Sequence, residues 1–216
     1  MKKHLYKKKN PEIRISLGSL VLMFFCVCLL IFSTFITVDV FYPVIPTAQD
    51  GVNGFNIGHF FKTYEIIPQI PAVILVGAIL GRKLGITAVV IYILLGLLCI
   101  PIFALGGGLN YFSQYGFGYI LAYIPAVFIL TKFLKNGLYF KNITLGTFFA
   151  VIFIHLFGIA YMSVLALINS SGIEFVQNWI IYQSGWKVLF DFILSFVLVY
   201  VIKAFSFLLW CYRKPY

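Results

Sequence analysis

The chain has 216 residues, of which 62% are hydrophobic and only 10% are charged, and its mean hydropathy is +1.02. In soluble domains about a quarter of the residues are charged, so this composition excludes a soluble globular protein. The net charge of +10 indicates attraction to anionic lipid headgroups. We therefore expect membrane lipid as a partner and no nucleic acid.

Six apolar stretches are separated by polar or glycine- and proline-containing segments. A bilayer needs roughly 20 apolar residues per helix, and the stretches are close to that length. The sequence predicts an all-α polytopic membrane protein, with residues 1–216 forming a single integral-membrane domain. The predicted spans are 15–38, 65–81, 84–103, 114–134, 143–168 and 184–210.

Basic residues are concentrated in alternate connections. The N-terminal arm, the second and fourth connections and the C-terminal tail carry Lys2, Lys3, Lys7, Lys8, Lys9, Arg14, Arg82, Lys83, Lys132, Lys135, Lys141, Arg213 and Lys214. The other three connections hold Lys62 as their only base, together with Asp39, Asp50, Glu65 and Glu174. Cytoplasmic connections are the basic ones. This asymmetry predicts six spans in the cell membrane with both termini in the cytoplasm.

The first outer connection, residues 39–64, is unusually long and contains several aromatic residues. Loops of this length are usually functional or disordered. The aromatic content favours an ordered cap over the outer mouth of the helical bundle.

Motifs for catalysis and for cofactors are absent from the sequence. There is no P-loop, no H-E-x-x-H and no cluster of His and Cys residues that could hold a metal. Ser163 lies two turns from His155, but no third catalytic member accompanies them. We expect neither catalytic residues nor a cofactor, and hence no enzyme.

Two polar groups near the outer ends of the spans are candidates for ligand binding. Gln69 lies between two prolines, which free nearby carbonyl groups. Its amide could serve a ligand that both donates and accepts, or it could bond the freed carbonyls. The run Gly106-Gly107-Gly108, followed by Asn110, exposes backbone that either lines a cavity or forms a plain turn.

Further candidates lie on the fourth, fifth and sixth spans. Glycine between two aromatics in Phe117-Gly118-Tyr119 lets a flat ligand approach the backbone, although aromatics are also common at membrane interfaces. His155 lies mid-span, where an ionisable residue is a functional candidate or bonds a neighbouring helix. Lys187 could pair with Asp191 four residues later, or it could meet a ligand carboxylate.

Several of these segments carry a family resemblance. The stretch from Gln69 to Gly81 resembles the family run T-L-Q-x-x-A-V-L-L-x-G-x-x-x-G, with Ile67 at the Thr position. The later segments Tyr92-Ile-Leu-Leu-Gly96, Pro101-Ile-Phe103-Ala104, the three glycines, Phe117-Gly118-Tyr119 and Ile154-His155-Leu-Phe-Gly158-Ile-Ala-Tyr161 are similar to further family segments. Together they resemble the biotin transporter BioY family, whose members are substrate-binding S components of energy-coupling-factor transporters.

The resemblance implies a substrate-binding subunit for biotin uptake that works with a coupling transmembrane subunit and two ATPase subunits. Many family members carry P-x-x-G-D-x-x-K at the start of the sixth span, where Asp and Lys are linked to biotin. With Gly185 aligned, Trp186 stands at the Asp position and Leu189 at the Lys position. The family's small-residue docking motif is not evident in the first span.

Biotin combines an apolar fused-ring body, a ureido group and a carboxylate on a four-carbon chain, so its site needs aromatic walls, amide partners and one place for negative charge. The predicted ligand-binding residues are Gln69, Phe103, Gly106, Gly107, Gly108, Asn110, Phe117, Gly118, Tyr119, Trp186 and Lys187. Riboflavin or thiamine would also use aromatics and amides. The alternatives are therefore an S-type subunit for another vitamin or precursor, and a structural or assembly membrane protein without a ligand.

Overall fold

The computed structural model describes residues 16–43 and 61–213. The N-terminal basic arm, Lys214 and the middle of the first outer connection, residues 44–60, lie outside the described residues. The elements, in chain order, are α1 (Leu17–Thr34), β1 (Val38–Pro43), β2 (Phe61–Ile66), α2 (Gln69–Leu98), a 3₁₀ helix (Leu109–Ser113), α3 (Phe117–Leu121), α4 (Tyr123–Leu134), α5 (Phe140–Ile168), α6 (Ile173–Ser184) and α7 (Trp186–Arg213).

Helix α2 reverses direction at Gly81, whose φ of 69° and ψ of −172° are not helical. The two arms, 69–80 and 82–98, therefore lie side by side. A Cβ built on Gly85 would stand 3.3 Å from the Cα of Gly77, whereas eight residues of straight helix would separate them by about 12 Å. The two arms correspond to the second and third predicted spans. The first arm begins at Gln69 rather than at 65, because residues 61–66 form a strand.

The helices share one buried apolar core. Helix α2 packs against α1, α4 and α7, while α5 packs against α3, α4 and α7. Leu30, Val73, Val89, Leu130 and Ile154 from α1, both arms of α2, α4 and α5 are all fully buried in this core. These side chains form a close-packed interior, and their mutual contacts stabilise the bundle.

The outward surfaces of the helices are also apolar. On α1, for example, Phe24, Phe25 and Phe32 are each more than three-fifths exposed. Helices that are hydrophobic all round are typical of membrane spans. Five helical stretches among the described residues are long and apolar enough to cross a membrane, with both arms of α2 counted once: Leu17–Thr34, Gln69–Leu98, Phe117–Leu134, Phe140–Ile168 and Ile173–Phe205.

The ends of the first outer connection form a hairpin rather than loop or helix. Strands β1 and β2 pair antiparallel, from Val38 opposite Ile66 to Pro43 opposite Phe61. Their valine, isoleucine, threonine and aromatic residues favour strands. The connection 169–183, between the fifth and sixth predicted spans, is mostly the helix α6, which Gly185 separates from α7.

We predict that Gly81→Ala destabilises the protein through the backbone alone. The region of φ and ψ that Gly81 occupies is nearly restricted to glycine, and forcing another residue into it costs about 1–3 kcal/mol. No heavy atom lies within 4 Å of a Cβ at this position, so steric contact does not contribute. The midpoint of thermal unfolding in detergent should fall.

The matched control for this variant is Gly18→Ala. Gly18 lies inside α1, and the nearest heavy atom to its built Cβ is 4.0 Å away. Alanine is preferred to glycine in helices, so this midpoint should stay the same or rise. Equal midpoints for Gly81→Ala and the parent protein would contradict the strained reversal.

Candidate functional site

A cavity of about 440 Å³ opens at one end of the bundle. Ligand pockets for small molecules usually have volumes of about 300–1,000 Å³. Its walls come from β2, from α3, from the starts of α2, α4 and α7, from the end of α6 and from the segment before α3. The residues that line it are Tyr64, Glu65, Ile67, Gln69, Ile70, Ala104, Leu105, Tyr111, Gly116, Tyr119, Ile120, Tyr123, Trp179, Tyr182, Gln183 and Lys187.

The amide of Gln69 is held in one orientation by three hydroxyl groups. Its Nε2 donates to Oγ1 of Thr34 at 3.2 Å and to the hydroxyl of Tyr92. The hydroxyl of Tyr123 donates to its Oε1 at 3.0 Å. The amide therefore bonds side-chain hydroxyls rather than backbone carbonyls freed by the prolines. Oε1 has a second lone pair that no other hydrogen bond among the described residues uses.

A charged cluster lies beside the cavity where α5 meets α7. Nζ of Lys187 is 2.6 Å from Oδ2 of Asp191, one turn along the same helix. Nε2 of His155 is 3.2 Å from the same oxygen. Asp191 is fully buried, and its Oδ1 has no hydrogen-bond partner in the described part of the chain. A buried carboxylate needs such partners, because an unpaired charge in the interior is costly.

Hydroxyl groups connect this cluster to the cavity wall. Nδ1 of His155 is 2.9 Å from Oγ of Ser184, and that oxygen is 2.8 Å from the hydroxyl of Tyr119. Because a carboxylate only accepts hydrogen bonds, Nε2 of His155 donates to Asp191. In the neutral imidazole, Nδ1 then accepts from Ser184, and Ser184 accepts from Tyr119.

Aromatic side chains form the remaining walls. The rings of Tyr64 and Tyr182 meet edge to face with centroids 5.2 Å apart, and the Tyr64 hydroxyl donates to the Tyr182 carbonyl oxygen. This contact fastens the hairpin to α6. Burial raises the pKa of the Tyr111 phenol, so it stays neutral at physiological pH. Trp179 also lines the cavity, and its buried Nε1 has no hydrogen-bond partner among the described residues.

Three of the predicted site residues, Gln69, Tyr119 and Lys187, line the cavity together. Phe103, Phe117 and Gly118 are buried behind its wall. Asn110 is exposed in the 3₁₀ helix, and Trp186 is 51% exposed at the start of α7. Neither of these two belongs to the lining.

The glycine run docks its own segment onto the end of α2. The N–H of Gly108 donates to the carbonyl of Gly96 at 2.9 Å, and Phe103 and Gly106 exchange two backbone hydrogen bonds. A Cβ on Gly107 would stand 2.6 Å from the Gly96 oxygen. None of the three glycines, Gly106, Gly107 and Gly108, is among the cavity-lining residues. They bring the adjacent Ala104 and Leu105 to the cavity.

Helices α3 and α5 cross through two reciprocal contacts of glycine with tyrosine. A Cβ on Gly118 would lie 2.3 Å from Cβ of Tyr161, and a Cβ on Gly158 would lie 2.5 Å from Cδ1 of Tyr119. Each glycine therefore accommodates the tyrosine of the other helix. Gly118 positions its neighbour Tyr119 in the wall rather than lying against a ligand itself.

Sequence reasoning missed most of the aromatic lining. Tyr64, Tyr111, Tyr123, Trp179 and Tyr182 all line the cavity. Tyr123 belongs to a predicted span, where a tyrosine is most simply explained as packing. Its position four residues after Tyr119, one helical turn along, was the available signal. The others lie in connections whose structure the sequence did not resolve.

These observations define a class of protein: a multi-pass helical membrane protein with a ligand-sized cavity at one end of its bundle. The model of the BioY family matches residues 6–210, and the chain belongs to this transporter family. Two curated relatives, both described as probable biotin transporter BioY, come from Lysinibacillus sphaericus and Pyrococcus horikoshii. The first is 35% identical over 78 residues, which are 34% of this chain and 40% of the relative.

The second relative is 45% identical over 62 residues, which are 28% of this chain and 38% of the relative. The chain therefore matches about two fifths of the length of these curated relatives. A solved structure described as the S-component for biotin from an ECF-type ABC transporter superposes with a TM-score of 0.61. That match covers 89% of this chain and 95% of the other at 20% identity, so it shows a shared fold.

We predict that Gly158→Ala displaces Tyr119 from the cavity wall. The new Cβ would overlap the Tyr119 ring, and overpacking of this kind costs about 1–3 kcal/mol. The midpoint of thermal unfolding should fall. Gly172→Ala is the matched control, because no heavy atom lies within 4 Å of a Cβ at Gly172.

A double-mutant cycle identifies the clash as the cause. Adding Tyr119→Ala to Gly158→Ala removes the overlapping ring, so the double variant should be more stable than the sum of the single losses predicts. Purely additive losses would show that Tyr119 and Gly158 do not contact each other.

Proposed function

We propose that this protein is the biotin-binding subunit of an energy-coupling-factor transporter in the cell membrane. It would work with a coupling transmembrane subunit and two ATPase subunits. Family membership, the descriptions of its relatives and the shared fold support this proposal. The observation that carries it is the cavity, which combines an oriented amide, aromatic walls and a lysine.

The ureido head of biotin matches the groups around Gln69. A ureido N–H can donate to the spare lone pair of Gln69 Oε1 or to the oxygen of Tyr123. The ureido oxygen can accept from Nε1 of Trp179, which otherwise lacks a partner among the described residues. A buried polar group that gains a partner stabilises the complex by about 1–3 kcal/mol. The surrounding aromatic rings enclose the apolar body.

Lys187 is the basic side chain of the cavity lining. One of its three donors is directed at Asp191, which leaves two for a ligand carboxylate. Trp186 and Leu189 replace the charged residues that many relatives carry at the start of this span. In this chain, Lys187 supplies the positive charge from a different position on the same helix.

The proposed arrangement has six crossings, both termini in the cytoplasm and the cavity at the outer end. The two arms of α2 supply two of these crossings. Each of the three connections that are poor in basic residues contributes residues to the lining of the cavity. A second cavity, lined by Arg82, Lys83 and Lys135, lies where the predicted cytoplasmic connections meet. This distribution of charge agrees with the positive-inside rule.

We predict that Lys187→Met weakens the binding of biotin more than the binding of a neutral biotin amide. A charge-assisted hydrogen bond contributes about 1.5–3 kcal/mol, so biotin affinity should fall roughly tenfold or more. The affinity for the amide should change little. Equilibrium binding of both ligands to purified protein in detergent measures the two losses.

Lys203→Met is the matched control, because it removes the same charge from α7 at a residue outside the cavity lining. Both ligands should bind this variant as they bind the parent protein. If Lys187→Met folds poorly, the double variant Lys187→Met/Asp191→Asn also removes the unpaired carboxylate and can be tested in its place. Equal losses for biotin and its amide would assign Lys187 to structure alone.

A further inference from the structure

The charges around the cavity do not balance once an anionic ligand binds. Lys187 already pairs with Asp191, which is fully buried. Glu65 adds a second carboxylate at the exposed rim. A ligand carboxylate would therefore share one lysine with Asp191. A buried carboxylate that loses part of its counter-charge is destabilised unless another positive charge replaces it.

His155 is the group placed to supply that charge. It is 2% exposed and lies 3.2 Å from Oδ2 of Asp191, on the side opposite its contact with Ser184. Imidazole changes its charge near physiological pH. The ionisable groups at the cavity end of the elements around it include Asp191 and Lys187 of α7, Tyr119 of α3, Tyr123 of α4, Tyr92 of α2, Tyr182 of α6 and Glu65 of β2.

A proton can reach this buried imidazole through two hydroxyl groups. Tyr119 lines the cavity, its hydroxyl is 2.8 Å from Ser184 Oγ, and that oxygen is 2.9 Å from Nδ1 of His155. Each hydroxyl both donates and accepts, so both hydrogen bonds between Tyr119, Ser184 and His155 can reverse their direction. These hydrogen bonds therefore connect the cavity to His155 without exposing the imidazole.

We infer that binding of a carboxylate ligand in the cavity is coupled to the uptake of one proton by His155; this inference rests on the proposed function. In the neutral form of His155, Nε2–H donates to Asp191 and Nδ1 accepts from Ser184. When the ligand carboxylate draws Lys187, a proton from a buffer acid forms an N–H bond at Nδ1. The conjugate base of the buffer stays in solution.

The imidazolium then donates to both Asp191 and Ser184. Because Nδ1 now donates, Ser184 must donate to Tyr119, and the Tyr119 hydroxyl turns to donate into the cavity. Protonation of His155 thus restores the counter-charge of Asp191 and gives the ligand a new donor. A neutral ligand leaves Lys187 on Asp191 and requires no proton.

The pH dependence has a definite sign. Ligand binding favours the protonated imidazole, so the part of the affinity that protonation of His155 contributes is fully present at acidic pH. That affinity is lost as the pH rises through the range in which His155 of the complex deprotonates. Across this range, the dissociation constant for biotin should rise by up to about tenfold per pH unit. The dissociation constant for a neutral biotin amide should stay nearly constant.

The experiment is calorimetric titration of the purified full chain with biotin, at one pH, in buffers of different ionisation enthalpy. The dependence of the observed enthalpy on the buffer counts the protons taken up. We expect about one proton per biotin at a pH where the free imidazole is neutral, and none for the neutral amide. Equal counts for both ligands, or no uptake with biotin, would overturn the inference.

Two variants identify the group that takes up the proton. His155→Gln retains hydrogen-bonding atoms but cannot be protonated, so proton uptake should vanish. Glu65→Gln removes the carboxylate of the cavity lining, and uptake should persist. Uptake that persists in His155→Gln and vanishes in Glu65→Gln would identify Glu65 as the group that takes up the proton. If His155→Gln does not fold, ¹⁵N resonances of labelled histidine in the parent protein must show one imidazole becoming charged with biotin but not with the amide.

These outcomes also separate the inference from the proposed function. Biotin that binds without proton uptake contradicts only the role of His155. An absence of biotin binding by the parent protein contradicts both the proposed function and the proton coupling that rests on it.

Discussion

The buried carboxylate of Asp191 is the constraint on which the cavity end of this bundle depends. It lies between α5 and α7 with no exposed surface, and His155 and Lys187 both direct a nitrogen at its Oδ2. In an apolar protein surrounded by lipid, an uncompensated charge at this depth is expensive. The position of Lys187 in the cavity wall and the orientation of His155 both follow from the need to neutralise this one group.

The same constraint sets how the rest of the polar surface is arranged. Ser184 forms a hydrogen bond with the second ring nitrogen of His155, and Tyr119 forms one with Ser184. This series of hydrogen bonds therefore ends at the cavity, which Tyr119 lines. On the neighbouring wall, Gln69 is satisfied by Tyr92, Tyr123 and Thr34 in the same manner. These polar side chains are thus held by one another, and Gln69, Tyr119, Tyr123 and Lys187 among them line one ligand-sized space.

Close helix contacts keep these groups in place. The reversal at Gly81 brings both arms of α2 beside each other, which places Tyr92 next to Gln69 although they are far apart in sequence. The contact of Gly158 with Tyr119 fixes the ring from which the polar chain begins. Glycine is required at both positions for different reasons: positive φ at Gly81 and space at Gly158.

Much of this architecture could be predicted from the sequence because the membrane imposes simple rules. Apolar length located the helices, and the basic connection at Arg82 and Lys83 separated the two arms of α2. The sequence also marked Gln69, Tyr119 and Lys187, since a polar or interfacial residue in an apolar span is conspicuous. It could not show that Asn110 faces outward in a 3₁₀ helix, because a short loop has no periodicity to orient its side chains.

The contacts that join distant segments were equally beyond the sequence. Phe103 was predicted as a wall but packs on Gly96 behind it, and only the three-dimensional path of the glycine run decides this. Trp179 and Tyr182 reach the cavity because residues 173–184 form a helix between the fifth and sixth predicted spans, where the sequence predicted no helix. Strand pairing of residues 38–43 with 61–66 likewise depends on a long-range contact that no local pattern specifies.

The central claim is that the cavity binds biotin, and equilibrium binding of radiolabelled biotin to the purified protein tests it most directly. The account predicts saturable, submicromolar binding that unlabelled biotin displaces and that a large excess of riboflavin or thiamine does not. Displacement by one of those vitamins, or direct binding of it with no biotin binding, would assign the cavity to a different ligand. Absence of binding by all three would contradict the account.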